Sequence, residues 1–194
     1  MKNFGKMYKK GDASVVHATC VPLRNRSHFD TQDNLENGHP GATVGYATGW
    51  MNRLLSALPA GSSIATHGAL QVGEAPLILR GPAPVLGWSP ETYDHLENPL
   101  LYMMRTLYRA NDPQMYDFLE AGLKADKLAE GKKGSKDKNI SDLRKGFRGA
   151  ARLLRASNGP RIAALSVDGW DTHADQGVIG GQFADLLSEL DQGI

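Results

Sequence analysis

Apolar and polar positions follow two rhythms along this chain, and the switches between them mark its predicted elements. Residues 1–10 have a helical spacing that Gly11 closes. Ala13 to Val21 is a run of small and β-branched residues, which predicts a buried strand ending at Pro22. Helical spacing returns from Ser27 to Glu36, with Ser27 as the N-cap, and Asn37-Gly38-His39-Pro40-Gly41 breaks it. A further helix is predicted from about Gly49 to Leu58, with Trp50, Leu54, Leu55 and Leu58 on one face. Ile64 to Gly68 reads as a short strand. Leu77 to Gly81 and Pro84 to Trp88 lie among Pro and Gly and read as edge strands.

Beyond Ser89 the rhythm is helical for a long stretch. Leu96 to Tyr108, Gln114 to Leu128 and Ile140 to Ala156 are predicted helices, the last with Leu143, Phe147, Ala150, Ala151 and Leu154 inward. Gly131 to Asn139, rich in Lys, Gly and Ser, reads as a solvated loop between the second and third. Arg161 to Val167 is then the most apolar strand of the chain, and a helix from about Gln182 to Leu190 places Phe183, Leu186, Leu187 and Leu190 on one face. Strand–helix alternation at both ends predicts an α/β fold: a mostly parallel sheet flanked by helices, with a helical insertion at about residues 90–157, all within one domain spanning 1–194. Three convincing core strands are few for a free-standing parallel sheet, so the chain reads as part of a larger domain.

Composition narrows the function classes. The chain has 194 residues with Lys plus Arg at 22 against Asp plus Glu at 21, so no global field draws in nucleic acid or an anionic membrane. No apolar stretch is long enough to span a bilayer. The single Cys20 excludes an internal disulfide. His17, His39, His67 and His95 are scattered without metal-ligand spacing.

Candidate chemistry concentrates in Gly169-Trp170-Asp171-Thr172-His173, at the carboxyl end of the strand that starts at Arg161. Ligands gather at that edge of an open α/β sheet. Alternate residues of an extended segment point to one side, so Asp171 and His173 can address one divalent cation. Asp168 is a weaker third candidate, brought near if Gly169 turns the chain. The alternative is that Asp171 caps the next helix and His173 is a surface residue. Ser27 likewise has two readings: an N-cap, or a hydroxyl at the head of a helix, where the dipole favours an anionic ester and Arg24 or Arg26 can pair with it. His28 and Asp30 either face a metal or line the helix.

Three stretches in order carry a resemblance. They are Val15-Val16-His17-Ala18 followed by Arg26-Ser27-His28-Phe29-Asp30-Thr31-Gln32-Asp33-Asn34-Leu35-Glu36-Asn37-Gly38, then Gly49-Trp50-Met51-Asn52-Arg53-Leu54-Leu55, then Gly169-Trp170-Asp171-Thr172-His173 with Gln176-Gly177. Together they resemble the DUF1501 proteins, relatives of the alkaline phosphatase and sulfatase superfamily. The resemblance implies a partial alkaline-phosphatase-like fold and a bacterial metal-dependent hydrolase of sulfate or phosphate esters. Its substrate would be a small anionic ester or a sulfated polysaccharide. It implies a divalent ion such as zinc or calcium on Asp171 and His173; beside them His28 is the further candidate ligand, and Ser27 and Arg26 are the candidate catalytic residues. It also implies export to the periplasm or cell surface. The family segments expected to bring further ligands fall outside residues 1–194, so the site in this chain is expected to be incomplete. A relative that keeps the fold and only binds a metal or polysaccharide is the alternative. Cys20 matches the short Cys-x-Pro-x-Arg pattern of sulfatases literally, through Pro22 and Arg24, but its place at a predicted strand end suits a small buried thiol.

Overall fold

The computed structural model describes residues 1–194 except 17–19, 25, 40–46, 59–68, 74, 91–97, 131–140, 158, 175 and 178. Its elements run α1 (Lys2–Lys10), α2 (His28–Asn37), α3 (Trp50–Ala57), β1 (Ala69–Val72), a 3₁₀ turn (Leu77–Leu79), β2 (Leu86–Trp88), α4 (Asn98–Asn111), α5 (Pro113–Glu130), α6 (Asp142–Arg155), β3 (Ile162–Leu165) and α7 (Gln182–Gly193). The strands form one parallel sheet in the order β2-β1-β3, with Leu70 opposite both Leu86 and Ala163. The α/β class and the parallel sheet with flanking helices are therefore as the sequence predicts.

Period-two alternation gives this small sheet two apolar faces. Leu70 and Val72 of β1, Leu86 and Trp88 of β2, and Ala163 and Leu165 of β3 pack with Ala125, Ala129, Ala150 and Leu153 of α5 and α6. Ala69, Ile162 and Ala164 turn the other way, against Leu55, Leu58, Ile78, Leu79 and Val85. On α6 the deeply buried stripe is Gly146, Gly149, Ala150 and Leu153. This corrects the predicted inward set: Ala150 belongs to it, Ala151 is exposed, and Leu143, Phe147 and Leu154 are half-buried. The glycines are the reason, because a Cβ on Gly149 would run into the Trp88 ring and one on Gly146 would crowd Val72. Two side-chain-free positions let the helix sit close on the sheet, and they carry no hydrophobic signal.

The second core is held by polar stitches. Asn52, fully buried on α3, donates from Nδ2 to the carbonyls of Leu79 and Ala83 at 2.8 and 2.9 Å and accepts the Ala83 N–H at 3.0 Å. Arg53 Nη1 donates to the Thr48 carbonyl at 2.7 Å, its Nη2 donates to the Asn37 carbonyl, and the Ile78 N–H donates to Glu36 Oε2 at 3.0 Å. The Gly-Trp-Met-Asn-Arg segment is thus a clamp that joins α2, α3 and the 3₁₀ turn. Trp50 and Leu54, predicted to pack, are exposed, and the buried face of α3 is Asn52 and Leu55. Leu77 to Leu79 forms the 3₁₀ turn and not an edge strand, because its N–H groups bond back within the turn and to Glu36.

Two further predictions change. Val15, Val16 and Cys20 are exposed and lie outside any strand, so the described part of the predicted strand from Ala13 to Val21 does not join the sheet, and Cys20 is not a buried thiol. The described neighbours of β1 are β2 and β3, which leaves β-branched residues there with no ladder partner. The predicted strand Ile64 to Gly68 and loop Gly131 to Asn139 lie outside the described residues, and β1 begins directly after the former. Helix α1 is as predicted, with Gly11 in the left-handed region at φ 79°.

The start of α1 is fixed by the last turn of α7. The backbone N–H groups of Lys2, Asn3 and Phe4 donate to the Asp191 carboxylate at 2.6, 3.2 and 2.8 Å, and Asn3 Nδ2 donates to the Asp191 carbonyl at 2.7 Å. Burial alone would push this carboxyl up, but the three N–H donors outweigh it and hold Asp191 below the usual carboxylate range.

Two outcomes are expected. A carboxyl lowered on folding stabilises above its unfolded value of about 4, and that stabilisation is lost as pH falls through the lowered folded value. Amide exchange at residues 2–4 will therefore accelerate at strongly acidic pH before the sheet amides respond, and in Asp191→Ala it will be fast at neutral pH. Gly49→Ala would set a methyl against the backbone carbonyls of Leu77 and Ile78, and a urea melt should show a loss of about 1–3 kcal/mol.

Candidate functional site

The carboxyl end of β3 and the head of α2 meet at the predicted residues. After Leu165 the chain runs on without regular structure, and Gly169 turns it at φ 91°. Trp170 then lies edge-on to Phe183 of α7, with ring centroids 5.9 Å apart at 75°, which anchors the segment to the following helix. Asp171 and His173 project from this anchored stretch. His173 takes a positive φ of 46°, and the Ala174 N–H closes a three-residue turn onto the Thr172 carbonyl. A non-glycine residue there carries roughly 1–3 kcal/mol of backbone strain. Such strain persists where the surroundings fix it.

Three predicted ligand side chains converge. His173 Nε2 is 2.8 Å from Asp171 Oδ2, and His28 Nε2 approaches the same oxygen at 3.6 Å from the first turn of α2. The three are open to solvent, at 61% for His28, 58% for Asp171 and 79% for His173. An extended segment would put Asp171 and His173 on one side, but the tight turn at His173 is what closes their separation. The approach of His28 depends on tertiary structure and has no signature in local spacing. Phe29, whose ring lies 4.5 Å from that of His28, is largely exposed beside the cluster and was not singled out in the sequence.

Ser27 caps α2: its Oγ accepts the Asp30 N–H at 3.2 Å, while its carbonyl accepts from Thr31 Oγ1 at 2.7 Å. Arg26 is exposed, and with Ser27, His28, Thr31, Gln32 and Leu35 it lines a shallow recess at the head of the helix. Asp168 lines a separate recess with Val72, Asp142 and Leu143. His17, His67 and His95 lie outside the described residues. A larger cavity of about 560 Å³, between Leu86, α5 and Gly159-Pro160, contains none of the candidate residues.

The donor set of two imidazoles and one carboxylate suits zinc and similar ions. Two atoms bound to one ion at about 2.1 Å lie roughly 3.4 Å apart, so the His28–Asp171 spacing fits a shared ion. The His173–Asp171 spacing is a hydrogen-bond distance that ligation would have to open. Among the described residues no group of three or more His, Cys, Asp or Glu side chains is arranged to hold a metal ion as it stands. No helix is long and apolar enough to cross a membrane among the described residues. No family model, curated protein or solved structure matches the chain.

The cap at Ser27 gives a direct test of its two roles. Ser27→Ala should cost about 1 kcal/mol in a denaturant melt, whereas Ser27→Asp, which keeps an acceptor for the Asp30 N–H, should melt close to the parent.

Proposed function

We propose that this chain carries part of a metal-dependent hydrolytic site for small anionic esters, sulfate or phosphate. The observation that carries the reading is the approach of His28 to the Asp171 carboxylate, which joins the head of α2 to the end of β3. The resemblance of the segments around Ser27, Asn52 and Asp171 to the DUF1501 proteins supports the same chemistry. In this reading Asp171, His28 and His173 are ligands, and His173 swings out of its hydrogen bond to serve. A divalent ion bound there supplies polarisation of the ester oxygen and a lowered pKa for the attacking group.

The remaining work falls to the chain's own groups. Arg26 pairs with the non-bridging oxygens of the ester, and the positive end of the α2 dipole favours the same anion. Ser27 Oγ receives the Asp30 N–H through one lone pair and still holds its proton and a second lone pair. Capping therefore positions this hydroxyl without consuming it. A nucleophilic role also requires a base to take that proton, and with His28 and His173 both engaged as ligands that base has to come from outside the cluster.

The openness of the cluster favours a second reading, in which the fold binds a metal or a sulfated polysaccharide without turnover. All three ligand candidates are more than half exposed, so water is not excluded, and the exposed Phe29 offers a flat apolar face beside them. Zinc and calcium titrations by calorimetry, together with aryl sulfate and aryl phosphate assays with and without chelator, separate the two. The hydrolytic reading expects chelator-sensitive turnover that Ser27→Asp abolishes, and metal affinity that falls roughly tenfold or more in Asp171→Asn and His28→Ala. Metal binding without turnover selects the second reading. Absence of any binding that depends on Asp171 overturns both.

A further inference from the structure

The α4–α5 hairpin carries a surface whose pattern the site chemistry leaves unexplained. The two helices are joined through Asp112, and Arg105 and Glu120 pair across them, with Nη2 donating to Oε2 at 2.7 Å. That pair sets an antiparallel register in which Leu107 lies level with Phe118. The helices pack on each other, and half-buried Leu101, Met104 and Tyr108 on α4 and Tyr116, Leu119 and Leu123 on α5 mark the contact stripe by their spacing and burial. Each also carries a second apolar stripe at i, i+3, i+7 spacing: Leu100, Met103 and Leu107 on α4, and Met115, Phe118 and Gly122 on α5. Both second stripes are displaced one residue toward the amino terminus from the contact stripe. In antiparallel helices equal displacements turn to the same side, so the two stripes form one continuous face.

That face is uncovered toward the hairpin turn. Farther along α5 the same stripe continues as Ala125 and Ala129, which are 3% and 1% exposed against the sheet and α6, while Met115 and Phe118 are 42% and 57% exposed. Leu100, Met103 and Leu107 are 42%, 52% and 51% exposed. These five side chains present on the order of 500 Å² of apolar surface, at the upper end of what a monomer leaves open. The rim carries little charge: Pro99, Thr106, Ala110, Asn111 and Gln114 flank the stripes, and Asp112 at the hairpin tip accepts the Met115 N–H. Thr106 and Asn111 turn their donors onto their own helix, to the carbonyls of Tyr102 and Leu107.

We infer that this face is a self-association surface on which a second copy lays its own α4–α5 hairpin, so that four helices pack through the paired stripes. The spacing is that of knobs-into-holes packing, and Gly122, with open space around it, provides a hole on each copy level with Met103. A two-fold pairing needs a surface that complements itself, and a rim with Asp112 as its one flanking charge limits like-charge repulsion between identical copies. The same rim lacks the Lys and Arg that would select an anionic membrane or an acidic partner. The area is about half or more of what one partner buries in a standard interface, so the dimer should dissociate on dilution.

Sedimentation velocity over a series from micromolar to submillimolar chain is the test. Expected is a reversible monomer–dimer equilibrium that Met103→Asp with Phe118→Asp shifts at least tenfold toward monomer, and that Tyr102→Asp, on another side of α4, leaves unchanged. Hydrogen exchange of the parent chain at low and high concentration gives a second readout that needs no variant, with protection of residues 100–118 rising with concentration. A parent that stays monomeric throughout, a dimer that survives the double substitution, equal sensitivity to Tyr102→Asp, or protection gained elsewhere overturns the inference.

Discussion

The structure depends on the burial of β1 on both of its faces. Ala69 and Leu70 are fully buried and point in opposite directions, one toward α3 and the 3₁₀ turn and the other toward α5 and α6. Two separate apolar clusters thus share a backbone only four residues long, and β2 and β3 are aligned to that strand by their ladders. A one-residue slip of β1 would exchange Leu70 and Val72 with Ala69 and Gln71 and disrupt both layers at once. The three-stranded sheet keeps a defined register because both sides demand it.

The helices were the most legible part of the chain, because each amphipathic stripe repeats over several turns. Within one to three residues the boundaries of α1, α2, α5 and α7 follow caps and breakers such as Ser27, Gly38 and Pro113. Strands were harder. The β-branched segment around Val15 looks more strand-like than Ala69-Leu70-Gln71-Val72, yet the latter is the central strand. Local composition reports what a pleated surface tolerates, whereas pairing depends on partners distant in sequence. The glycine contacts of α6 are illegible in the sequence for a related reason: a position where no side chain fits leaves no apolar residue to mark it.

The grouping of the candidate residues was more legible than their geometry. Asp171 and His173 follow an apolar strand in the sequence, but β3 ends at Leu165, and His28 approaches Asp171 from the head of α2. The means differ from expectation, since the pair meets through a strained turn at His173 and the whole group stands in the open. The Gly49 to Arg53 segment is a scaffold. Its hydrogen bonds hold α2 against the 3₁₀ turn, which places the head of α2, and so His28, within reach of Asp171.

The clasp between Asp191 and residues 2–4 gathers three backbone donors and one side-chain donor onto a single residue. One carboxylate thus ties together helices whose bonded residues lie 187 to 189 positions apart, and it places its charge at the amino-terminal turn of α1, where the helix dipole favours an anion.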